Sequence, residues 1–193
     1  MTSAQGDFLN GKLLLAMPSI GDVRFHRAVI LICEHDENGA MGLMLNKPHE
    51  QLSLDNFLSD LGMHDGIKID IADPSFQMFN GGPLNKERAI LLHSNDYKDD
   101  DTIKVNDDFS ISGTLEFLIK ILKDDAPTAI RFILGSAGWS AGQLEHEMQD
   151  NAWLVACATP EIVFDTAPED QWSAALKQLG ITPEFLTGAA GRA

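Results

Sequence analysis

The sequence predicts an α+β fold in which a mixed β-sheet carries helices on its outside. Three observations lead there. The early apolar segments are joined by a hairpin signal, and the later ones alternate with segments of helical periodicity. No Pro/Gly/Ser-rich linker and no internal repeat divides the 193 residues. At about 150 residues per domain, that length favours one domain over residues 1–193.

The elements follow in order. Residues 1–7 are polar and expected to be loose, as are 187–193. Residues 12–17 read as a strand stopped by Pro18, and 28–35 as a dense, buried strand. Asn38-Gly39 marks a hairpin turn, with 40–46 returning until Pro48. Ser53 is placed to cap a short helix whose Leu54, Phe57, Leu58 and Leu61 share one face, with Gly62 closing it. Residues 77–79 form a short strand running into the turn Asn80-Gly81-Gly82-Pro83, and 89–93 another strand.

The stretch 96–108 is acidic, with 103–105 as an edge strand within it. It lacks the register of a calcium loop. Ser112 begins a helix carrying Leu115, Leu118, Ile119 and Leu122, and 129–135 is a strand. Ser140 and Gln143 fit a capping box opening a helix over 143–151. Residues 152–158 read as a central strand and 162–164 as a short one. Thr166 and Glu169 fit a second capping box, ahead of a helix with Trp172, Ala175, Leu176 and Leu179 on its stripe and Gly180 at its end.

Charge narrows the function. Fourteen Lys+Arg face 29 Asp+Glu, a net −15. Nucleic-acid affinity comes mostly from neutralised phosphates. The densest basic spots, Arg24/Arg27 and Lys120/Lys123, are only pairs. Direct DNA or RNA contact and adhesion to anionic membranes are disfavoured. The longest apolar run, 152–158, is far short of the ~20 residues that span a bilayer. With no signal peptide visible, the cytoplasm is the expected compartment. Cys33 and Cys157 both sit in apolar runs and read as reduced core thiols.

Candidate chemistry lies in three places. Leu134-Gly135-Ser136-Ala137-Gly138 through Gln143 reads as a strand, a glycine-rich turn and a helix N-terminus, an anion-binding arrangement. It matches neither a P-loop nor a nucleophile elbow, and its glycines would equally serve close packing. Cys33 and His35 would share one strand face, with Glu34 on the other, a pairing able to activate a thiolate. Lys47, after Asn46, would neutralise a neighbouring carboxylate or a ligand anion. The six histidines include no H-x-x-x-H pair, and there is no C-x-x-C, so no metal site and no cofactor is expected.

Four stretches, in order, then point to a family. They are Gly11-Lys12-Leu13-Leu14-Leu15-Ala16-Met17-Pro18 with Asp22, Phe25 and Arg27; Cys33-Glu34-His35 through Gly39-Ala40-Met41-Gly42 to Asn46-Lys47-Pro48; Gly81-Gly82-Pro83 with Leu92-His93; and Gly138-Trp139 through Gln143-Leu144-Glu145 to Asn151-Ala152-Trp153-Leu154. Together they resemble the YqgE/AlgH family of bacterial proteins across nearly the whole chain. Ser136 stands where a bulkier residue is expected. The resemblance implies a single α+β domain whose mixed, partly bifurcated sheet curls toward a barrel between flanking helices. It supplies no catalytic residue. Its members often carry the label of transcriptional regulator, which the charge directs toward a small-molecule or protein partner.

The leading expectation is therefore a non-enzymatic regulatory or binding protein for a small anionic ligand or protein partner. Its pocket would gather Glu34, His35, Asn46, Lys47, Asn80, Gly81, Gly82, Gly135, Ser136, Gly138 and Gln143. The alternative is an enzyme built on the Cys33 thiol or on the glycine-rich segment, with Ser136 as its hydrolytic residue.

Overall fold

Leu13, Leu14 and Leu15 are all fully buried, which requires a strand covered on both faces. This strand, β1 (Lys12–Ala16), lies between β2 (Val29–Asp36) and β9 (Trp153–Cys157), antiparallel to both. The computed structural model describes residues 8–50, 52, 54–60, 77–113 and 126–186. Among these, nine strands form one sheet in the order β6-β7-β5-β8-β3-β2-β1-β9, with β4 also pairing β8. The remaining strands are β3 (Gly39–Met44), β4 (Met78–Asn80), β5 (Leu84–Ser94), β6 (Ile103–Lys104), β7 (Phe109–Ser112) and β8 (Ile130–Ser140). Among the described strands only the β4–β8 pairing is parallel.

Strand β8 is where the sheet forks. Its first half pairs β5 on one side and β4 on the other, and its second half pairs β3. One core, with Leu13, Leu15, Leu31, Leu43, Ile133 and Phe109, is closed by α3 (Gln171–Gln178) through Trp172, Ala175 and Leu176. A second, with Leu14, Ile30, Ile32, Trp139 and Trp153, is closed by Leu144 of α2 (Gln143–Gln149). A third, with Met78, Leu91, Phe132 and Leu134, is closed by Leu54 of α1 (Leu54–Asp60). The expected α+β architecture with a curled sheet is the one observed.

Several expectations are corrected. Strand 129–135 continues to Ser140, so Gly135, Ser136 and Gly138 lie within β8 and not in a turn leading to a helix. Residues 109–111, left unassigned by the sequence, and Ser112, expected to begin a helix, form β7. Strand 152–158 is terminal in the sheet, not central; its apolar character comes from the α2-side core holding Trp153 and the α3-side core holding Ala156. Residues Glu161–Asp165 form a π-helical turn in place of a strand, because Pro160 adopts a right-handed helical conformation and the backbone bonds close locally, Thr166 N–H donating to Glu161 O at 2.9 Å. Thr166 therefore ends that turn and caps no helix. Half of the first capping box forms: Gln143 Oε1 accepts from Ser140 N–H at 3.1 Å, while Gly142 occupies the cap position itself. Ser53, Leu61, Gly62, the helical run from Leu115 to Leu122 and the termini 1–7 and 187–193 lie outside the described residues.

Candidate functional site

The β2–β3 hairpin closes as expected, but a bulge between Ile32 and Glu34 breaks the alternation of β2. Cys33 keeps to the α3-side core with Val29 and Leu31, whereas His35, beyond the bulge, turns to the opposite face and meets α2. The expected Cys33–His35 pair is not formed. Cys33 is buried with its Sγ–H directed at Leu31 O, and burial, aided by Glu34, pushes the thiol up, away from thiolate. Cys157, also expected in the core, is exposed. His35 Nδ1 accepts from Leu9 N–H at 3.0 Å, which leaves the proton on Nε2 for Glu145 Oε1 at 2.8 Å. His35 thus ties the N-terminal segment and α2 to β2.

The glycines have a geometric role. Gly135 adopts φ +73, and beyond it β8 changes face: Ile133 lies in the α3-side core, while Ala137 and Trp139 lie in the α2-side core. Gly81 and Gly82 run directly against this bend. A Cβ on Gly81 would stand 2.3 Å from Gly135 O, and one on Gly82 2.3 Å from Ser136 C. Gly81 N–H donates to Leu134 O at 2.7 Å, and its carbonyl accepts from Met44 N–H at 3.0 Å. The glycine-rich segments therefore knit β3, β8 and the start of β5 together backbone to backbone.

The sequence-predicted site residues divide among separate places. Lys47, Asn80 and Gly82 line a hollow of about 180 Å³ together with Arg24, Phe25 and Lys86. Asn46 does not line it and has both ends of its amide spent, accepting from Val29 N–H at 2.9 Å and donating to Arg27 O at 2.8 Å. Glu34 and Ser136 line a different cavity of about 480 Å³, with Met41, Arg88, Ile90 and Asp101. His35 and Gln143 belong to neither; they bond to Glu145 and Glu147 of α2. One shared cleft is not what the fold builds.

The first hollow is the more cationic of these two. Arg24 is paired with Asp22 at 2.5 Å, and that contact holds the Asp22 carboxyl below its usual range. Lys47 Nζ donates to His26 O at 2.7 Å, and partial burial lowers its ammonium. Among the described residues, neither Lys47 nor Lys86 has a carboxylate within ion-pair distance. Two lysines without such a partner, beside an arginine already paired with Asp22, make this hollow locally cationic on a chain of net −15. Lys86 gave no sequence signal, whereas Arg24 was visible only as half of a basic pair. No group of three or more His, Cys, Asp or Glu suited to a metal occurs among the described residues. None of the described helices is long and apolar enough to cross a membrane.

The forked, mainly antiparallel half-barrel, braced by three short helices among the described residues, defines this molecule as an α+β domain with hollows beside its strands. The chain belongs to the AlgH-like family, whose model matches residues 13–184. It is 40% identical to a UPF0301 protein of Bradyrhizobium, over 99% of this chain and 90% of the relative. It is 42% identical to one of Caulobacter vibrioides, over 97% and 95% respectively. The solution structure of the AlgH protein from Pseudomonas aeruginosa superposes with a TM-score of 0.79 at 36% identity, covering all of both chains. Protein DIP2367 from Corynebacterium diphtheriae, at 22% identity and a TM-score of 0.69 over 95% of this chain and 92% of its own, shares the fold.

Proposed function

We propose that this protein is a non-enzymatic binding protein that recognises a small anionic group, free or on a partner protein, in the hollow of Arg24, Lys47 and Lys86. The observation that carries the reading is the pair of lysines, beside Asn80 and Gly82, with no carboxylate partner among the described residues, in a molecule otherwise strongly acidic. An anion there would gain charge-assisted hydrogen bonds without displacing an existing ion pair of either lysine. The hollow's size suits a phosphate or carboxylate group and leaves the rest of a ligand outside. Regulation would then run through that ligand or partner, since the net charge opposes a nucleic-acid polyanion. The enzymatic alternative has less to stand on, with Cys33 buried away from His35 and residues 135–138 in a strand.

Titration with inorganic phosphate and acetate, followed by amide NMR, tests the proposal. Shifts should centre on Lys47, Asn80 and Gly82, and Lys47→Met with Lys86→Glu should abolish them. Saturable binding that survives the double substitution, or no shift at low ionic strength, would refute it.

A further inference from the structure

A lone arginine interrupts the apolar run of β8, and its surroundings are unusual for a charge. Arg131 is only 6% exposed. Its guanidinium lies 4.6 Å over the Phe79 ring, and Nη1 donates to Leu45 O at 2.8 Å. Nη2 reaches Phe164 O and Thr166 O only at 3.5 and 3.4 Å, near the limit of a hydrogen bond. A guanidinium offers five N–H donors, so one short and two long bonds leave capacity unspent. Among the described residues no carboxylate stands within ion-pair distance of it. Asp165 acts only from longer range, from an exposed position. Burying a charge without a counter-charge is costly, and backbone carbonyls only partly offset it. Burial pushes the guanidinium down to about 10, which leaves it cationic at neutral pH.

Arg131 also lines a cavity of about 560 Å³, within the range of small-molecule sites. Its walls mix the flat apolar side chains of Phe79, Phe164, Pro127 and Pro168 with the polar groups of Gln77, Thr128, Asp165 and Thr166. We propose that this cavity binds a carboxylate carried on a flat apolar body, an aromatic acid, with the carboxylate on the fork of Arg131 and the ring between Phe79 and Phe164. The planar fork matches a carboxylate in two parallel hydrogen bonds. Asp165 at the rim disfavours a dianion more than a monoanion, which points away from phosphate. This site is separate from the Lys47 hollow and does not depend on it.

The test is an NMR titration of the full chain with benzoate, its neutral isostere benzamide, and phosphate. Benzoate should shift the Arg131 Nε–H signal and the amides of Thr128 and Thr166, with Kd of about 1 mM, and benzamide should bind at least about tenfold more weakly. Arg131→Gln should remove the difference between the two. If that variant does not fold, the comparison of benzoate with benzamide on the native chain decides alone. Equal binding of the two, phosphate shifting the Thr128 and Thr166 amides as tightly as benzoate does, or benzoate shifts confined to Lys47 and Asn80 would each overturn the proposal.

Discussion

Glu147 offers the sharpest test of how this fold is held. Its Oε2 accepts from the indole N–H of both Trp139 and Trp153, each at 2.8 Å, and its Oε1 accepts from Gln143 Nε2 at 2.9 Å. The two indoles, 7% and 4% exposed, meet edge to face at 5.9 Å. One carboxylate on α2 thus fastens β8 to β9, which are distant in the sheet order. Glu147→Ala strands two buried donors that water reaches poorly. Hydrogen bonds to a charged group contribute about 1.5–3 kcal/mol each, and because the two share an acceptor their losses do not add fully. A loss of about 3 kcal/mol is expected, lowering Tm by roughly 6–12 °C for a domain of this size. Glu147→Gln, which keeps one acceptor oxygen but no charge, should lose about half as much. Urea unfolding followed by tryptophan fluorescence and far-UV circular dichroism measures both. Acid provides a second reading. Burial alone would raise the Glu147 carboxyl, but the bonds from Trp153, Gln143 and Trp139 outweigh it and hold it below 4.5. The stabilisation is therefore present in full above pH 4.5 and is lost as pH falls through the lower, folded-state value. An Ala variant within about 0.5 kcal/mol of the native chain would refute the reasoning, since that is the range of an ordinary surface substitution.

Other outcomes follow from the same geometry. Gly82→Ala, at φ +147 and against Ser136 backbone that has no flexible end to yield, should destabilise by more than about 2 kcal/mol in urea unfolding; near-neutrality would mean the close approach is absent. Hydroxyls of Ser94 and Thr128 hold the Asp96 carboxyl down to about 2, so its contribution to stability exists above 3.8 and fades as pH falls toward 2. Carboxyl NMR titration checks this, and a midpoint at or above 3.8 contradicts it. With a mild thiol reagent at neutral pH, Cys157 should label at once and Cys33 only on unfolding; Cys157→Ser should abolish fast labelling, and fast labelling that persists would expose Cys33 as reactive.

The parts of the fold that the sequence made legible are those where burial follows local period. Residues 28–35, the turn after Asp36 and the stripe of Trp172, Ala175 and Leu176 were all placed by periodicity and turn chemistry. What stayed hidden depends on long-range pairing. The strand 152–158 looks central because two helices cover it, and helical cover and strand cover bury a side chain alike. Ile162 and Val163 are buried in a helical turn as thoroughly as they would be in a strand.

The candidate site was obscured by the same cause at two points. A period-2 reading carries each side chain across the sheet by counting, and a single bulge reverses every residue beyond it. The irregularity at Ile32–Glu34 separates Cys33 from His35, and the bend at Gly135 carries Trp139 to the face where Glu147 waits. Neither irregularity has a local signature that distinguishes it from a turn. Glycine marks both a loop and a bend inside a strand, and only the partner's backbone, here that of Gly81 and Gly82, decides which. Arg131 is the reverse case: a charge within an apolar run is conspicuous in one dimension, and its significance lies in its burial in three with no carboxylate of the described residues within ion-pair distance.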